Sequence, residues 1–309
     1  MGGPELPRRR LIAGGGAWSA LVLAGCQTAP PAPPPASVAP VAPPPLPAAP
    51  PRPPRIGLAL GGGATRGFAH IGVIQVLEEQ GIRPDLVAGT SAGSLVAALY
   101  ASGKTGVDMA SLAQSMDESG LTDWSFPGRG LIRGEALARY VRQQTAGATI
   151  EQMKMPLGIV ATDLADGQPI LFRRGDTGAA VRASSAVPAV FQPVKIGTRE
   201  YVDGGLVSPV PVRFARQMGA ELVIAVDISS PPDGQPTGDA LHLLLQTFAI
   251  MGKSISRYEL KEADVVVRPA LTGVSSADFT ARLKAVQSGR EAALAALPAL
   301  RQRIAALTR

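Results

Sequence analysis

From residue 56 onward, short apolar runs alternate along the chain with longer segments in which apolar positions recur every three or four residues. The first pattern predicts buried strands and the second predicts helices with one apolar face. Strands that alternate with helices predict an α/β fold of three layers, with helices on both faces of a mostly parallel central sheet. The predicted strands are 56–60, 86–88, 157–162, 169–172, 222–228 and 265–267, and the predicted helices are 68–80, 94–100, 107–119, 133–145, 179–184, 242–259 and 281–307, the last with a break at Pro298.

The N-terminal region has a different composition and divides the chain into three predicted parts. Residues 1–26 carry an arginine cluster, an uncharged apolar stretch and then Leu23-Ala24-Gly25-Cys26, the layout of a secretory signal that ends in a motif resembling a bacterial lipobox. This predicts that Cys26 is lipidated and that the protein is a membrane-anchored lipoprotein of the cell envelope. A Gln at position 27, directly after the cysteine, resembles the signal for outer-membrane sorting in Gram-negative bacteria. Residues 55–309 form the predicted catalytic domain.

Between them, residues 27–54 consist almost only of Pro, Ala and Val. Such a segment buries too little apolar surface to fold, and proline favours the extended polyproline II conformation. At the usual rise for that conformation it spans on the order of 80 Å. We therefore predict a passive tether between the membrane and the domain.

Charge and composition limit the partners of the domain. The net charge of +6 is spread along the chain, and aromatic residues make up only 4% of it. A nucleic-acid site needs a basic stripe with aromatics, so this pattern favours an anionic membrane surface and argues against nucleic acid. Two histidines and a single cysteine leave few metal ligands, and we predict no metal and no cofactor.

The stretch from Gly89 to Gly93 is the clearest chemical motif. It has the form G-x-S-x-G between a predicted strand and a predicted helix, the setting of a nucleophile elbow with Ser91 at its tip. A turn this tight has no room for side chains two residues before and after the serine, which explains the glycines. The alternative is a Gly/Ser-rich β–α loop without chemistry.

A second glycine-rich loop follows the first predicted strand. Gly61, Gly62 and Gly63 lead into a helix, with Arg66 close by. One interpretation is a dinucleotide-binding loop, but the spacing departs from G-x-G-x-x-G and no acidic residue follows the next strand. The other is an oxyanion hole, in which N–H groups at a helix start and the Arg66 charge stabilise negative charge. The neighbouring elbow favours the oxyanion hole.

Four blocks occur in a fixed order along the chain: the glycine loop and following helix from Gly61, the segment Gly89-Thr90-Ser91-Ala92-Gly93, residues 182–191, and Asp203-Gly204-Gly205. Together they resemble the patatin-like phospholipase family over residues 55–228. This resemblance implies a patatin-like fold, hydrolysis of lipid acyl esters by a serine–aspartate dyad, Ser91 as nucleophile, Asp203 as base and the loop from Gly61 to Arg66 as oxyanion hole. The activity implied is that of a phospholipase A or a general carboxylesterase.

The shortage of histidine is consistent with a dyad. His70 falls on the apolar face of a predicted helix, which favours a packing role. His242 follows Asp203 in the chain, so a Ser-Asp-His triad remains a formal alternative. A third hypothesis is a non-catalytic envelope lipoprotein that retains the hydrolase fold.

Overall fold

A mixed β-sheet forms the centre of the domain. The computed structural model describes residues 51–116, 123, 129–229, 238–272 and 281–309, so the predicted signal and most of the predicted tether lie outside the described residues. The strands are β1 Ile56–Leu60, β2 Leu86–Thr90, β3 Gly130–Ile132, β4 Leu157–Asp163, β5 Pro169–Phe172, β6 Ala189–Phe191, β7 Val194–Ile196, β8 Arg199–Asp203, β9 Leu222–Val226 and β10 Val265–Val267. The helices are α1 Phe68–Glu79, α2 Ala92–Ala101, α3 Gly106–Ser115, α4 Glu135–Gln144, α5 Thr177–Ser184, α6 Val212–Gln217, α7 Ala240–Glu259 and α8 Arg282–Leu307.

The order of the main sheet is β10-β9-β1-β2-β4-β8-β7, with β5 also paired to β4. The five strands from β10 to β4 are parallel, whereas β5, β7 and β8 are antiparallel to their neighbours. The strands β3 and β6 form a separate parallel pair. The prediction of a mostly parallel sheet is confirmed for its core, and β3, β6, β7, β8 and helix α6 are additions that we did not predict.

Helices cover both faces of this sheet. Side chains alternate along a strand, so Leu58 and Leu60 of β1 face one apolar cluster while Ala59 faces another. The first cluster contains residues of α1, α2 and α8, and the second contains residues of α6. This two-sided burial explains why the central strands are uniformly apolar, and it confirms the three-layer prediction.

The register of the parallel strands brings three loops to one edge of the sheet. Leu60 lies opposite both Gly89 and Val226, so β1, β2 and β9 end at nearly the same level. The glycine loop that begins at Gly61, the elbow at Ser91 and the residue Asp227 therefore leave the sheet side by side. Ligand sites in α/β sheets form at this carboxyl edge.

The C-terminal helix differs from its prediction. Helix α8 runs without interruption through Pro298, so the predicted break is wrong. A proline removes one hydrogen bond, to the carbonyl four residues earlier, which here belongs to Leu294. Both Pro298 and Leu294 lie on the exposed side of the helix, and the other side is held by buried Leu297 and Leu300. Packing therefore maintains the helix despite the lost bond.

Candidate active site

Ser91 lies at the tip of a tight turn between β2 and α2. Its backbone has φ of 51° and ψ of −123°, a conformation that residues with a side chain rarely adopt. The flanking glycines are sterically required, because an added Cβ would lie 2.4 Å from the Gly93 carbonyl oxygen at Gly89 and 2.1 Å from the Leu60 carbonyl oxygen at Gly93. Strain of this kind is typical of functional sites. The geometry is that of a nucleophile elbow, as the motif predicted.

Two hydrogen bonds that involve hydroxyl groups tie this turn to distant segments of the chain. The Ser184 hydroxyl at the end of α5 accepts a hydrogen bond from the Ser91 N–H at 2.8 Å and donates one to the Val160 carbonyl. The Thr90 hydroxyl donates to the Ser208 carbonyl at 2.8 Å. Sequence reasoning missed the roles of Ser184 and Ser208, because small hydroxyl residues carry no local signal of a long-range partner.

Asp203 ends strand β8 beside the elbow. On β4, Val160 is paired with Thr90 and the next residue, Ala161, is paired with Asp203, which brings the ends of β2 and β8 together. The turn after Asp203 is tightly packed, since a Cβ on Gly204 would lie 2.3 Å from the Val160 carbonyl oxygen. The structure thus brings the two predicted catalytic residues together although they are more than a hundred positions apart in sequence.

The Asp203 carboxylate is buried, and its two oxygens have different environments. Oδ1 accepts a hydrogen bond from the Gly205 N–H at 2.6 Å, whereas Oδ2 has no hydrogen-bond partner within ordinary distance and angle limits among the described residues. Burial raises the pKa of Asp203 to about 6, and the Ser91 hydroxyl and the Gly205 N–H act as donors that lower it. The Ser91 hydroxyl therefore lies close enough to Asp203 to affect its pKa, but it does not form a hydrogen bond of ordinary geometry with Oδ2. Long or poorly aligned catalytic hydrogen bonds are common in unliganded sites.

The glycine loop requires a correction to the predicted oxyanion hole. The Gly61 N–H donates to the Val226 carbonyl at 3.0 Å, and the Gly62 N–H donates to the Pro209 carbonyl at 2.9 Å. Neither group is free for a ligand in this conformation, so the prediction that all three glycines donate is wrong for these two. Gly63 is the loop glycine whose N–H has no partner among the described residues. Gly62 has a steric role instead, since an added Cβ would lie 3.2 Å from Ser91 Cβ.

Arg66 lies in the short turn Ala64–Gly67 between the glycine loop and α1, and its side chain is largely buried. Burial lowers the pKa of Arg66 to about 10, while the nearby Asp227 carboxylate favours its charged form. Arg66 therefore remains a cation at neutral pH. Asp227 is in turn paired with Arg268, at 3.3 Å.

The two histidines lie in different environments, and neither contacts the dyad. His70 is fully buried and its Nε2–H donates to the Gly61 carbonyl at 2.8 Å, and burial lowers the pKa of His70 to about 4. A neutral imidazole thus holds the glycine loop. His242 lies in the first turn of α7, where its ring is half exposed and contacts Asp239 at 2.6 Å. The structure does not bring His242 to Asp203, whose free oxygen has no described partner.

A buried carboxylate on α7 forms a second layer of support. Glu259 accepts hydrogen bonds from the Ser208 hydroxyl and from the Val210 N–H, the latter at 3.1 Å. The segment 208–210 in turn supplies the carbonyls that hold Thr90 and Gly62. Burial raises the pKa of Glu259 to about 7, opposed by its hydrogen bonds and by Arg213. Sequence reasoning also missed this residue, which lies beyond the motifs.

No group of three or more His, Cys, Asp or Glu side chains that could hold a metal occurs in the described part of the chain. Among the same residues, no helix has both the length and the apolar character needed to cross a membrane. Cys26, the predicted lipidation site, lies outside the described residues, and its modification remains a prediction.

An elbow serine, a buried carboxylate and a glycine loop at the carboxyl edge of an α/β sheet define a serine hydrolase type of site. A family model for patatin-like phospholipase matches residues 58–216, which include all three features. The chain belongs to the patatin-like phospholipase family.

Individual relatives agree with this family. An uncharacterized NTE family protein from Mycobacterium tuberculosis is 39% identical over 189 residues, which is 60% of this chain and 52% of that protein. Patatin-like phospholipase domain-containing protein 6 of Mus musculus is 34% identical over 197 residues, 60% of this chain but only 14% of that protein. The match thus spans about half of the first relative and a small part of the second.

The fold has a counterpart among solved structures. VipD from Legionella pneumophila superposes with a TM-score of 0.54 at 16% identity, over 80% of this chain and 67% of that one. This likeness concerns the fold alone. It agrees with the α/β arrangement described above, and the prediction of a patatin-like fold is confirmed.

Proposed function

We propose that this chain is a serine acyl hydrolase that cleaves ester bonds of lipids with a Ser91–Asp203 dyad. The observation that carries the proposal is the Asp203 carboxylate, which is buried beside the elbow, interacts with the Ser91 hydroxyl and has one oxygen without a partner among the described residues. A base must be near the proton that it accepts and must be ionised at working pH. Asp203 meets both conditions above its pKa of about 6.

In the first half of the reaction, the Ser91 hydroxyl oxygen attacks the ester carbonyl and its proton passes to Asp203 Oδ2. The tetrahedral intermediate then collapses, and the same proton is given to the leaving alkoxide, which departs as an alcohol. In the second half, Asp203 takes a proton from water, whose oxygen attacks the acyl-serine. The carboxylic acid is released and Ser91 regains its proton.

The developing oxyanion needs N–H donors that are not already bonded. We assign this role to Gly63, together with Ala92 at the first position of α2. Neither N–H has a partner among the described residues, and the start of α2 adds the positive end of the helix dipole. Removing one such donor typically lowers kcat by a factor of about a hundred to a thousand. The buried Arg66 cation adds positive potential at the same edge of the sheet.

We further propose that the substrate is presented by a membrane. The predicted lipid on Cys26 and the tether over residues 27–54 would hold the domain within reach of an envelope bilayer, and a positive net charge of +6 favours anionic lipid. A phospholipase A or a general carboxylesterase activity is the specific form that this arrangement supports.

The test is hydrolysis of short- and long-chain p-nitrophenyl esters by the purified full chain and by its Ser91→Ala variant. We expect turnover by the parent and a loss of about a thousandfold or more in the variant. Ser111→Ala, which changes an exposed serine on α3, is the matched control and should leave the rate unchanged. A parent without activity on any ester would favour the non-catalytic lipoprotein, and an active Ser91→Ala protein would refute the proposed nucleophile.

A further inference from the structure

Helix α7 carries an unusual share of the apolar surface of the described chain. Nine large hydrophobic side chains are exposed in the described residues, and five of them belong to this one helix. Their exposed fractions range from 36% to 71%. We name them the α7 stripe, which consists of Leu243, Leu244, Ile250, Met251 and Tyr258. Scattered exposed apolar residues are normal, but a cluster of them marks an interaction surface.

The stripe follows one side of the helix. At 3.6 residues per turn, positions seven apart fall nearly above one another, which aligns Leu243 with Ile250 and aligns Leu244, Met251 and Tyr258 in the adjacent row. The opposite side packs against the domain, where Ser256 and Glu259 are buried. The stripe thus runs along most of a helix of 20 residues, or about 30 Å.

The charges near the stripe are basic at its C-terminal end. Arg257 is exposed and continues the row of Leu243 and Ile250, and the Lys261 ammonium lies 5.0 Å from the centre of the Tyr258 ring. The one carboxylate within α7 is Glu259, which is buried against Ser208 and Val210, although Asp239 and Glu262 flank the helix. An apolar face with aromatic and basic residues at its edge is typical of helices that lie in a lipid interface.

The stripe is also close to the proposed active site. Helix α7 contacts the turn Gly204–Leu206 that follows Asp203, and Gly252 lies against Pro209, whose carbonyl holds Gly62. A binding partner that contacts the exposed side of α7 would therefore lie close to the segments that support the dyad.

From these four observations, we propose that the α7 stripe docks onto the surface of a lipid bilayer that contains anionic headgroups. This inference rests on the proposed function, because the ester of a lipid in a bilayer must reach Ser91 from the membrane surface. The exposed face of a single helix, with cations and no exposed carboxylate between its ends, fits a phospholipid interface better than a second basic copy of the same chain.

The experiment measures flotation of the full chain with vesicles of phosphatidylcholine, with and without phosphatidylglycerol. All proteins carry Cys26→Ser, so that an N-terminal lipid does not mask binding. The test variant combines Leu243→Ser, Ile250→Ser and Met251→Ser. The matched control carries three hydrophobic-to-serine changes at exposed positions outside α7, namely Val107→Ser, Leu164→Ser and Leu294→Ser. We expect the α7 variant to lose about tenfold or more in vesicle affinity and the control variant to bind like the parent.

Hydrolysis separates this inference from the proposed function. The α7 variant should cleave soluble p-nitrophenyl acetate at the parental rate but act more slowly on phospholipid in vesicles, and Ser91→Ala should bind vesicles like the parent. Equal vesicle binding by the α7 variant and the parent would overturn the docking inference and leave the activity intact. A parent that ignores vesicles but dimerises through the stripe, as shown by sedimentation equilibrium, would overturn it in favour of a second copy. Binding through the stripe without any hydrolysis would support docking and refute the activity.

Discussion

At the scale of single residues, the most informative group is the Asp203 carboxyl. A free aspartate has a pKa near 4 and is a weak base, whereas burial raises the pKa of Asp203 to about 6. The higher value makes the carboxylate a better proton acceptor, and it is still ionised at neutral pH. The hydrogen bond from Gly205 to Oδ1 limits the rise and leaves Oδ2 for the serine proton.

The pH dependence of activity follows directly. We expect kcat/KM to fall about tenfold for each unit below pH 6, because the protonated carboxyl cannot accept a proton, and to be flat above that value. Asp203→Asn should lower kcat/KM by about a thousandfold above pH 6, and this difference should shrink at lower pH as the parent's own base becomes protonated. Both are measured with a soluble ester between pH 4.5 and pH 8.

The His242→Ala variant tests whether a histidine also contributes to catalysis. His242→Ala should retain most of the activity, because the His242 ring contacts Asp239 and not the dyad. An inactive but folded His242→Ala protein, together with partial activity in Asp203→Asn, would instead indicate a Ser-Asp-His triad, whose members act as a unit.

The same carboxyl also affects stability. The pKa of Asp203 is about 6 in the folded protein against its ordinary value of 3.8, so between these two pH values the folded state binds more protons than the unfolded state. The contribution of Asp203 to the free energy of unfolding is therefore present below about pH 4 and is lost as the pH rises through 6, a change of about 3 kcal/mol. Asp203→Asn cannot ionise, so it should be more stable than the parent at pH 8 and lose this advantage at pH 4. Urea unfolding at the two pH values measures the difference, and an equal offset at both would contradict the raised pKa.

At the scale of elements, the local apolar pattern was enough to predict β1, β2, α1 and most of the other long elements. Each strand among them is a continuous apolar run, and each helix has apolar residues at every third or fourth position. Strand β8 was missed because its sequence, Arg199–Asp203, begins with charged residues and lies at the antiparallel side of the sheet. The break predicted at Pro298 was wrong because packing against α1 decides the course of α8. Such tertiary effects leave no local trace in the sequence.

The contact between α1 and α8 gives a test of this packing. A Cβ on Gly289 would lie 2.0 Å from the Ala69 carbonyl oxygen, so Gly289→Ala should destabilise the protein by about 1–3 kcal/mol although alanine favours helices. Gly252→Ala is the matched control, because on α7 the added Cβ would meet only Pro209 Cγ at 3.7 Å. The control should be stabilised by up to about 1 kcal/mol. Thermal unfolding measures both, and a stabilised Gly289→Ala protein would show that the two helices are not in close contact.

At the scale of the whole molecule, the site could be predicted only where its parts are motifs. Ser91 and the glycine loop are local patterns, and Asp203 was placed through the family resemblance. The supports of the site, Ser184 and Glu259, come from remote segments, and only the fold shows that they converge on the elbow. The fold likewise shows that Gly61 and Gly62 donate to Val226 and Pro209, which motif spacing does not reveal.

The proposed attachment of the chain to the membrane depends on the lipobox-like segment that ends at Cys26. If Cys26 is acylated, metabolic labelling with a radioactive fatty acid should mark the parent and leave Cys26→Ser unlabelled. Ser19→Ala, which changes the same N-terminal segment and leaves the cysteine, is the control and should be labelled like the parent. Because the α7 stripe is proposed to bind lipid reversibly, Cys26→Ser should leave the membrane fraction completely only when Leu243→Ser, Ile250→Ser and Met251→Ser are added. Labelled Cys26→Ser protein, or an unlabelled parent, would show that the chain does not carry a lipid on this residue.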